Sequence, residues 1–266
     1  MTDNRNLPIG VFDSGVGGLT VVKEIIKELP NERLIYLGDT ARVPYGTRSR
    51  EVIQKFALEL TRFLLSKKVK CLVVACNTMS ANALPAIKSI SPVPVLDVIF
   101  PTVAAAVEKS KSGRIGVIGT AGTVSSGAYN RELKPFGVKV FSVACPLFVP
   151  LAEEGMGKNP ATELIAREYL LKLSKEQIDT LILGCTHFPL LRQAIGKAIG
   201  EKVKLVDSGK PTAMALRIIL RDKDLLSDQA EPAYEFYFTD ALDKASAAAR
   251  NFFGGRLPGK IVKISL

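Results

Sequence analysis

The 266-residue chain resembles itself in two stretches, and this internal repeat constrains the fold more than any other feature of the sequence. The matching segments follow one another in the same order. They are Ile9–Ser14 with Ile115–Thr120, Leu72–Cys76 with Leu181–Cys185, Val95–Asp97 with Leu205–Asp207, and Pro101-Thr102 with Pro211-Thr212. Two similar units that share one strand order are therefore predicted.

Short β-branched runs alternate with longer amphipathic stretches, which is typical of parallel sheets covered by helices on both faces. The predicted strands are Ile9–Phe12, Leu34–Leu37, Cys71–Ala75, Val93–Leu96, Ile115–Ile118, Val138–Val143, Thr180–Leu183, Val203–Val206 and Glu235–Phe238. Apolar residues three and four apart predict helices, among them Leu19–Leu29, Arg50–Ser66, Ala81–Ser89, Ala161–Leu173 and Ala213–Arg221. The fold class is therefore α/β.

The repeat and the α/β pattern together predict two similar lobes, each a mainly parallel sheet flanked by helices. A pseudo-twofold axis is expected to relate the lobes, with the active site between them. We expect residues 1–97 and 208–266 to form the first lobe and residues 98–207 the second. The segment Asp240–Leu266 is expected to add a helix and a last short strand, Ile261–Ile264, to the first lobe.

Composition excludes several classes of protein. The chain has 47% apolar and 23% charged residues, as soluble domains do, and its first residues lack the apolar run of a signal peptide. The most apolar stretch, Val93–Val107, is interrupted by Pro94, Asp97 and Pro101 and is too short to span a bilayer. We therefore expect a cytoplasmic protein without a membrane partner.

The formal net charge of +10 suggests a nucleic-acid partner as one alternative. Lys and Arg are spread along helical stretches such as Arg48–Lys68, however, without an arginine-rich run or a known nucleic-acid-binding motif. We expect a solvated basic surface instead, and a basic nucleic-acid-binding protein remains the less favoured alternative.

The four cysteines divide into two kinds. Cys71 lies within a predicted strand and Cys145 precedes a proline, so both are expected to pack in the core. No disulfide framework is predicted from their spacing, and the chain has no C-x-x-C pair and only one histidine. A metal site is therefore not expected.

Cys76 and Cys185 occupy matching positions in the repeat. Each follows a predicted strand and precedes a hydroxyl residue at an expected helix start, which is where parallel α/β sheets bind ligands. If the lobes face each other, the two thiols flank one substrate. A thiolate and a thiol on opposite faces form an acid–base pair that can invert a carbon acid, one removing a proton and the other delivering one.

The glycine-rich loop Asp13–Gly18 follows the first strand and opens a helix, which is where a phosphate-binding loop would lie. The spacing does not fit, because Thr20 stands where a dinucleotide fingerprint requires glycine and the Lys-Ser/Thr ending of a Walker loop is missing. The loop instead presents a carboxylate, a hydroxyl and backbone N–H groups. From position alone, Asp13 can also be a helix cap.

Several blocks of the sequence resemble the motif series of the bacterial glutamate racemases, in family order along nearly the whole chain. These blocks are Gly10–Thr20, Tyr36–Gly46, Ala75–Thr78 and Leu183–Leu190, followed by Asp207-Ser208-Gly209. Aspartate and hydantoin racemases share the paired cysteines but not these blocks. The resemblance implies a cofactor-independent isomerase with two facing lobes that interconverts L- and D-glutamate and supplies D-glutamate for peptidoglycan. Glutamate is the implied small-molecule partner, and a homodimer is expected.

The resemblance also implies roles for individual residues. Cys76 and Cys185 take the acid and base roles, and Asp13 and His187 assist their respective thiols. Glu153 is a further assisting candidate, although its neighbour is also a glutamate and a plain surface carboxylate is the alternative. His187 can favour a thiolate or hydrogen-bond the substrate, and the sequence leaves both open.

Residues that match substrate-binding positions of the family are Asp13, Ser14, Tyr45, Gly46, Asn77, Thr78, Thr186 and His187. Their hydroxyl, amide and N–H groups suit the carboxylates and ammonium of an amino acid. For Tyr45, which lies between a proline and a glycine, the alternative is an aromatic residue of a turn. A racemase of another small acidic amino acid, such as aspartate, is the closest alternative function.

Overall fold

A computed structural model describes residues 4–240 and 257–266, and between them only residues 243, 247, 251 and 253. The strands are β1 (Ile9–Asp13), β2 (Leu34–Gly38), β3 (Cys71–Val74), β4 (Val95–Asp97), β5 (Arg114–Gly119), β6 (Lys139–Ala144), β7 (Thr180–Gly184), β8 (Lys204–Asp207), β9 (Tyr234–Phe238) and β10 (Lys260–Lys263). They form a six-stranded sheet in the order β10-β9-β2-β1-β3-β4 and a four-stranded sheet in the order β6-β5-β7-β8. Every strand pairing is parallel, as predicted.

The two sheets repeat the same arrangement of strands. The order β2-β1-β3-β4 in the first sheet matches β6-β5-β7-β8 in the second. The register matches too, since Ile9 pairs with Cys71 in one sheet and Ile115 with Thr180 in the other. The predicted fold of two similar, mainly parallel lobes is therefore confirmed, with β9 and β10 added at one edge of the first sheet.

Helices cover both faces of each sheet. They are α1 (Leu19–Glu28), α2 (Arg50–Ser66), α3 (Asn77–Ile90), α4 (Ile99–Lys109), α5 (Ala121–Ser125), α6 (Ala128–Leu133), α7 (Phe148–Glu153), α8 (Pro160–Ser174), α9 (Arg192–Ile199) and α10 (Gly209–Asp222). Short 3₁₀ helices cover Asn4–Asn6, Lys134–Phe136 and Phe188–Leu191. No described helix is long and apolar enough to cross a membrane.

Side chains alternate between two cores on either face of each sheet. In β1, Ile9 and Val11 pack with α1 and α10, whereas Phe12 points to the opposite face and packs with α2 and α3. In β7, Leu181 and Leu183 face one core and Ile182 the other. Strands buried on both faces require continuous apolar runs, which explains why the sequence identified them so clearly.

Local sequence signals explain where the helices begin. Ser49 caps α2 by accepting a hydrogen bond from the Val52 N–H, and Asn159 caps α8 in the same way before Pro160 at the first helical position. α3 begins at Asn77, which confirms the helix start expected after Cys76 and lies four residues before Ala81, where the helical spacing of apolar residues begins.

Two further predictions differ from the structure. Cys185 is followed by the 3₁₀ helix Phe188–Leu191 rather than an α-helix, and α9 starts only at Arg192. The last strand is Lys260–Lys263 rather than Ile261–Ile264. The helix expected between Asp240 and that strand lies largely outside the described residues.

Candidate active site

The carboxyl ends of equivalent strands from both sheets meet around a cavity of about 340 Å³. Ser14 follows β1 and Cys76 follows β3 in the first sheet, while Thr120 follows β5 and Cys185 follows β7 in the second. The residues that line the cavity are Ser14, Val43, Pro44, Tyr45, Gly46, Thr47, Cys76, Asn77, Thr78, Thr120, Ala121, Pro146, Val149, Pro150, Glu153, Cys185, Thr186 and His187. The structure thus brings together every candidate residue of the sequence analysis except Asp13.

The first-lobe cysteine, Cys76, stands at the N-cap of α3 with 5% of its surface exposed. Its Sγ lies 3.6 Å from Ser14 Oγ. Burial, together with the negative charges of Asp13 and Cys185, raises the pKa of the Cys76 thiol to about 12. Cys76 therefore keeps its proton near neutral pH and is suited to act first as an acid.

The second-lobe cysteine, Cys185, has a different neighbour. Its Sγ lies 3.8 Å from His187 Nδ1, and His187 Nε2 lies 3.0 Å from Glu153 Oε1. Burial lowers the pKa of His187, but the hydrogen bonds to Cys185 and Glu153 outweigh burial and raise that pKa to about 10. A protonated imidazole therefore lies beside Cys185 at neutral pH.

Asp13 lies behind the cavity rather than in its wall. It is fully buried, and its Oδ2 accepts hydrogen bonds from the N–H groups of Gly15, at 3.2 Å, and Gly18, at 2.9 Å. Burial raises the pKa of Asp13, against the nearby charge of His187 and these backbone hydrogen bonds. Asp13 thus holds the glycine-rich loop in place through Oδ2, whereas Oδ1 lacks a hydrogen-bond partner in the described part of the chain.

Hydroxyl groups from both lobes meet at one end of the cavity. Thr78 Oγ1 of the first lobe lies 2.9 Å from Thr120 Oγ1 and 3.2 Å from Thr123 Oγ1 of the second. The Gly122 N–H donates a hydrogen bond of 2.8 Å to the Gly46 carbonyl across the same boundary. These contacts join the lobes directly beside the cavity.

Tyr45 lines the cavity, but its hydroxyl is directed away from it. The hydroxyl donates to Asp39 Oδ2 and the residue is 2% exposed. Asp39 in turn accepts hydrogen bonds from Arg42 and Thr239. A ligand would therefore meet the backbone of Tyr45 and Gly46 rather than the phenol.

Sequence reasoning missed several residues of the cavity wall. Thr120 is the repeat partner of Ser14, so the internal repeat already contained its signal. The pair Val43-Pro44 and the pair Val149-Pro150 also stand equally far past the equivalent strands β2 and β6, and all four residues line the cavity. The repeat thus extends to the loops that follow β2 and β6 and contribute apolar residues to the cavity wall.

The other two cysteines lie outside the cavity, and the side chains that could bind a metal ion are not clustered in the described part of the chain. Cys71 and Cys145 are fully buried, as a packing role requires. Within the described part of the chain, no group of three or more His, Cys, Asp or Glu side chains is arranged to hold a metal ion.

The fold and the cavity define a class of protein with two similar α/β lobes and one thiol contributed by each. The sequence pattern of the Asp/Glu/hydantoin racemase family matches residues 9–216. The glutamate racemase of Geobacter metallireducens is 51% identical over 97% of this chain and 96% of that protein.

Solved structures agree with this similarity. A glutamate racemase isoform of Bacillus anthracis superposes with a TM-score of 0.95 at 41% identity, covering 98% of both chains. The glutamate racemase of Francisella tularensis in complex with D-glutamate superposes with a TM-score of 0.93 at 40% identity, again covering 98% of both chains. The chain therefore belongs to the Asp/Glu/hydantoin racemase family, among the glutamate racemases, and is an isomerase.

Proposed function

We propose that this protein interconverts L- and D-glutamate with two opposed cysteines and without a bound cofactor. The observation that carries the proposal is that Cys76 and Cys185 stand at equivalent positions of two similar sheets and line one cavity. Its relatives are glutamate racemases, and that of Francisella tularensis has been solved with D-glutamate. The cavity of about 340 Å³ includes hydroxyl and amide groups in its lining, which suits a small acidic amino acid.

The chemistry requires one base and one acid on opposite faces of the α-carbon. A thiolate on one side takes the α-proton, and the electron pair stays on the substrate as a carbanion conjugated with the carboxylate. The thiol on the other side then gives its proton to the opposite face and becomes a thiolate. The two sulfurs end with exchanged protonation states, ready for a substrate of the other chirality.

The surroundings of the two sulfurs support unequal starting states. The His187 imidazolium, held by Glu153, lies beside the Cys185 sulfur, whereas Cys76 holds its proton. Asp13 assists Cys76 from behind, because its negative charge favours the protonated thiol there. We propose Cys185 as the base and Cys76 as the acid of the resting enzyme.

The polar wall of the cavity would bind the two carboxylates and the ammonium group of glutamate. The proposed ligand-binding groups are those of Ser14, Tyr45, Gly46, Asn77, Thr78, Thr120, Thr186 and His187. Donors that hold the α-carboxylate also stabilise the charge that develops as the α-proton leaves. Each 1.36 kcal/mol gained only in the transition state accelerates the reaction about tenfold.

The wider role follows from the same assignment. We propose that the protein works in the cytoplasm as a homodimer and supplies D-glutamate for peptidoglycan. No pyridoxal and no metal enter the proposed steps, because the thiols carry both proton transfers.

The test is the loss of optical activity of L-glutamate with purified protein, beside L-aspartate, without added pyridoxal and with a chelator. We expect glutamate alone to racemise. Cys76→Ser protein serves as the negative control, and Cys71→Ser, which changes a cysteine of the preceding strand, should keep its activity. Racemisation of aspartate instead would contradict the substrate, and a requirement for pyridoxal or metal would contradict the mechanism.

A further inference from the structure

The oxygen and the nitrogen of the Asn77 side-chain amide have different surroundings. Asn77 directly follows Cys76, lines the cavity and is 2% exposed. Its Oδ1 accepts a hydrogen bond of 2.6 Å from the Tyr129 hydroxyl. Its Nδ2 is buried and makes no hydrogen bond within the described part of the chain. A buried amide nitrogen without a partner is unfavourable, so this group is available to a ligand.

Tyr129 reaches Asn77 from the other lobe. It lies on α6, is 2% exposed and is not part of the cavity wall. Its ring packs over Gly184, the residue before Cys185, where an added Cβ would lie 2.9 Å from the ring carbon Cε2. Tyr129 therefore touches the strand end that carries one cysteine and hydrogen-bonds the residue that follows the other cysteine.

The direction of this hydrogen bond decides what the amide presents to the substrate. Burial raises the pKa of Tyr129, so the phenol stays protonated and can donate to Oδ1. With Oδ1 engaged in this way, the NH₂ group is the free end of the amide. An amide turned by half a rotation would present its oxygen instead, which repels a carboxylate.

We propose that Tyr129 is a positioning residue for racemisation, because it fixes the Asn77 amide with its NH₂ group toward a substrate carboxylate. This inference rests on the proposed glutamate racemase activity. Tyr129 lies in the second lobe and outside the cavity wall, and through Asn77 it would influence how substrate binds beside Cys76 of the first lobe.

A second contact between the lobes reaches the residue that follows the other cysteine. Thr186 directly follows Cys185, and its carbonyl lies 3.1 Å from the Thr20 hydroxyl on α1 of the first lobe, which shares its one proton between this carbonyl and that of Gly17 at 2.9 Å. In both halves, the residue after the cysteine is thus held by a hydroxyl from the opposite lobe.

The experiment compares Tyr129→Phe with the wild type, using the binding of racemic glutamate by calorimetry and the kinetics in both directions. Loss of one hydrogen bond to a charged group predicts affinity weakened about tenfold, with KM raised more than kcat is lowered. The values of kcat/KM must fall equally in both directions, because the two enantiomers have equal free energies. Tyr237→Phe is the matched control, since it removes a tyrosine hydroxyl bonded to Glu235 outside the cavity and should change neither quantity.

A double-mutant cycle separates positioning from a general structural role. If Tyr129 acts through Asn77, Tyr129→Phe will weaken glutamate binding no further in an Asn77→Ala background. An equal loss in both backgrounds would overturn the proposal, as would unchanged binding by Tyr129→Phe alone. Absence of racemisation by the wild type would overturn this proposal and the proposed function together, whereas an active wild type with an unaffected Tyr129→Phe variant overturns this proposal only.

Discussion

At the scale of single residues, the repeat places two cysteines in equivalent positions and then gives them different neighbours. The position that holds His187 after Cys185 is held by Thr78 after Cys76. His187 has a pKa raised to about 10 and lies beside one sulfur, whereas the thiol of Cys76 has a pKa raised to about 12. In the proposed mechanism, this difference makes Cys76 the protonated thiol of the resting enzyme.

The His187–Glu153 pair predicts a pH dependence. Because the pKa of His187 is raised, the imidazolium is present at neutral pH and is lost as the pH rises through about 10. Activity that depends on this cation should therefore fall on the alkaline side. Glu153→Gln removes a negative charge that favours the cation, so the fall should move to lower pH. The Glu153 side chain is 40% exposed and screened by solvent, which limits the expected shift to about one pH unit.

The measurement is the pH profile of kcat/KM for both proteins, in which the ammonium group of glutamate titrates identically. Glu154→Gln is the matched control, because this neighbouring carboxylate is exposed and does not hold His187. A profile of Glu153→Gln that coincides with the wild type would show that Glu153 does not support the imidazolium.

At the scale of elements, the loop between β1 and α1 is built for close approach to the second lobe. An added Cβ on Gly17 would overlap Thr186 Oγ1 and the His187 ring. Neither group can move away freely, because His187 is held by Glu153 and the Thr186 carbonyl by Thr20. Glycine at this position therefore allows the loop to press against the residues around Cys185.

Gly17→Ala should lower kcat/KM about a hundredfold or more while the protein remains folded, since misplacing a catalytic group by about 1 Å has costs of that size. Steady-state kinetics and thermal unfolding check this together. Gly196→Ala in α9 is the control: its Cβ would meet Leu205 at an ordinary 3.7 Å, and alanine in a helix interior is favoured by about 0.5–1 kcal/mol. Near-normal activity of Gly17→Ala would contradict the close approach.

The elements also show how far sequence reasoning reaches. Every predicted strand is present within about two residues. The central strands β1, β2, β3 and β7 are buried on both faces and so require apolar runs that are easy to recognise, whereas the edge strands β6 and β10 are only partly buried. The helix start expected after Cys76 is present, whereas the 3₁₀ helix after Cys185 was not predicted, since it lies where the chain turns out of a strand under tertiary constraints.

Within the site, the repeat and the resemblance together named the cysteines and most of the polar wall. They could not predict that Asp13 lies behind the wall or that the Tyr45 hydroxyl turns to Asp39. The contact between Tyr129 and Asn77 was also out of reach, because it joins distant parts of the chain across two lobes and has no local pattern.

At the scale of the whole molecule, duplication of one α/β unit accounts for the site between the lobes. α4 packs in a core with β5 and β7 of the second sheet, whereas α10 packs with α1 and β1 of the first. We propose on this basis that residues 1–97 and 208–266 form one lobe and residues 98–207 the other. Each lobe then contributes one thiol and supports the residue that follows the other lobe's thiol.

The central claim is that two different thiols act on opposite faces of glutamate, and labelling from heavy water tests it most directly. L-glutamate is incubated with the wild type in D₂O, and α-deuterium is measured in both enantiomers during the first few per cent of conversion. D-glutamate should carry deuterium while the remaining L-glutamate stays unlabelled, because the abstracted proton and the delivered deuteron reside on different sulfurs. Deuterium appearing equally early in both enantiomers would contradict the account, since it requires one base that serves both faces.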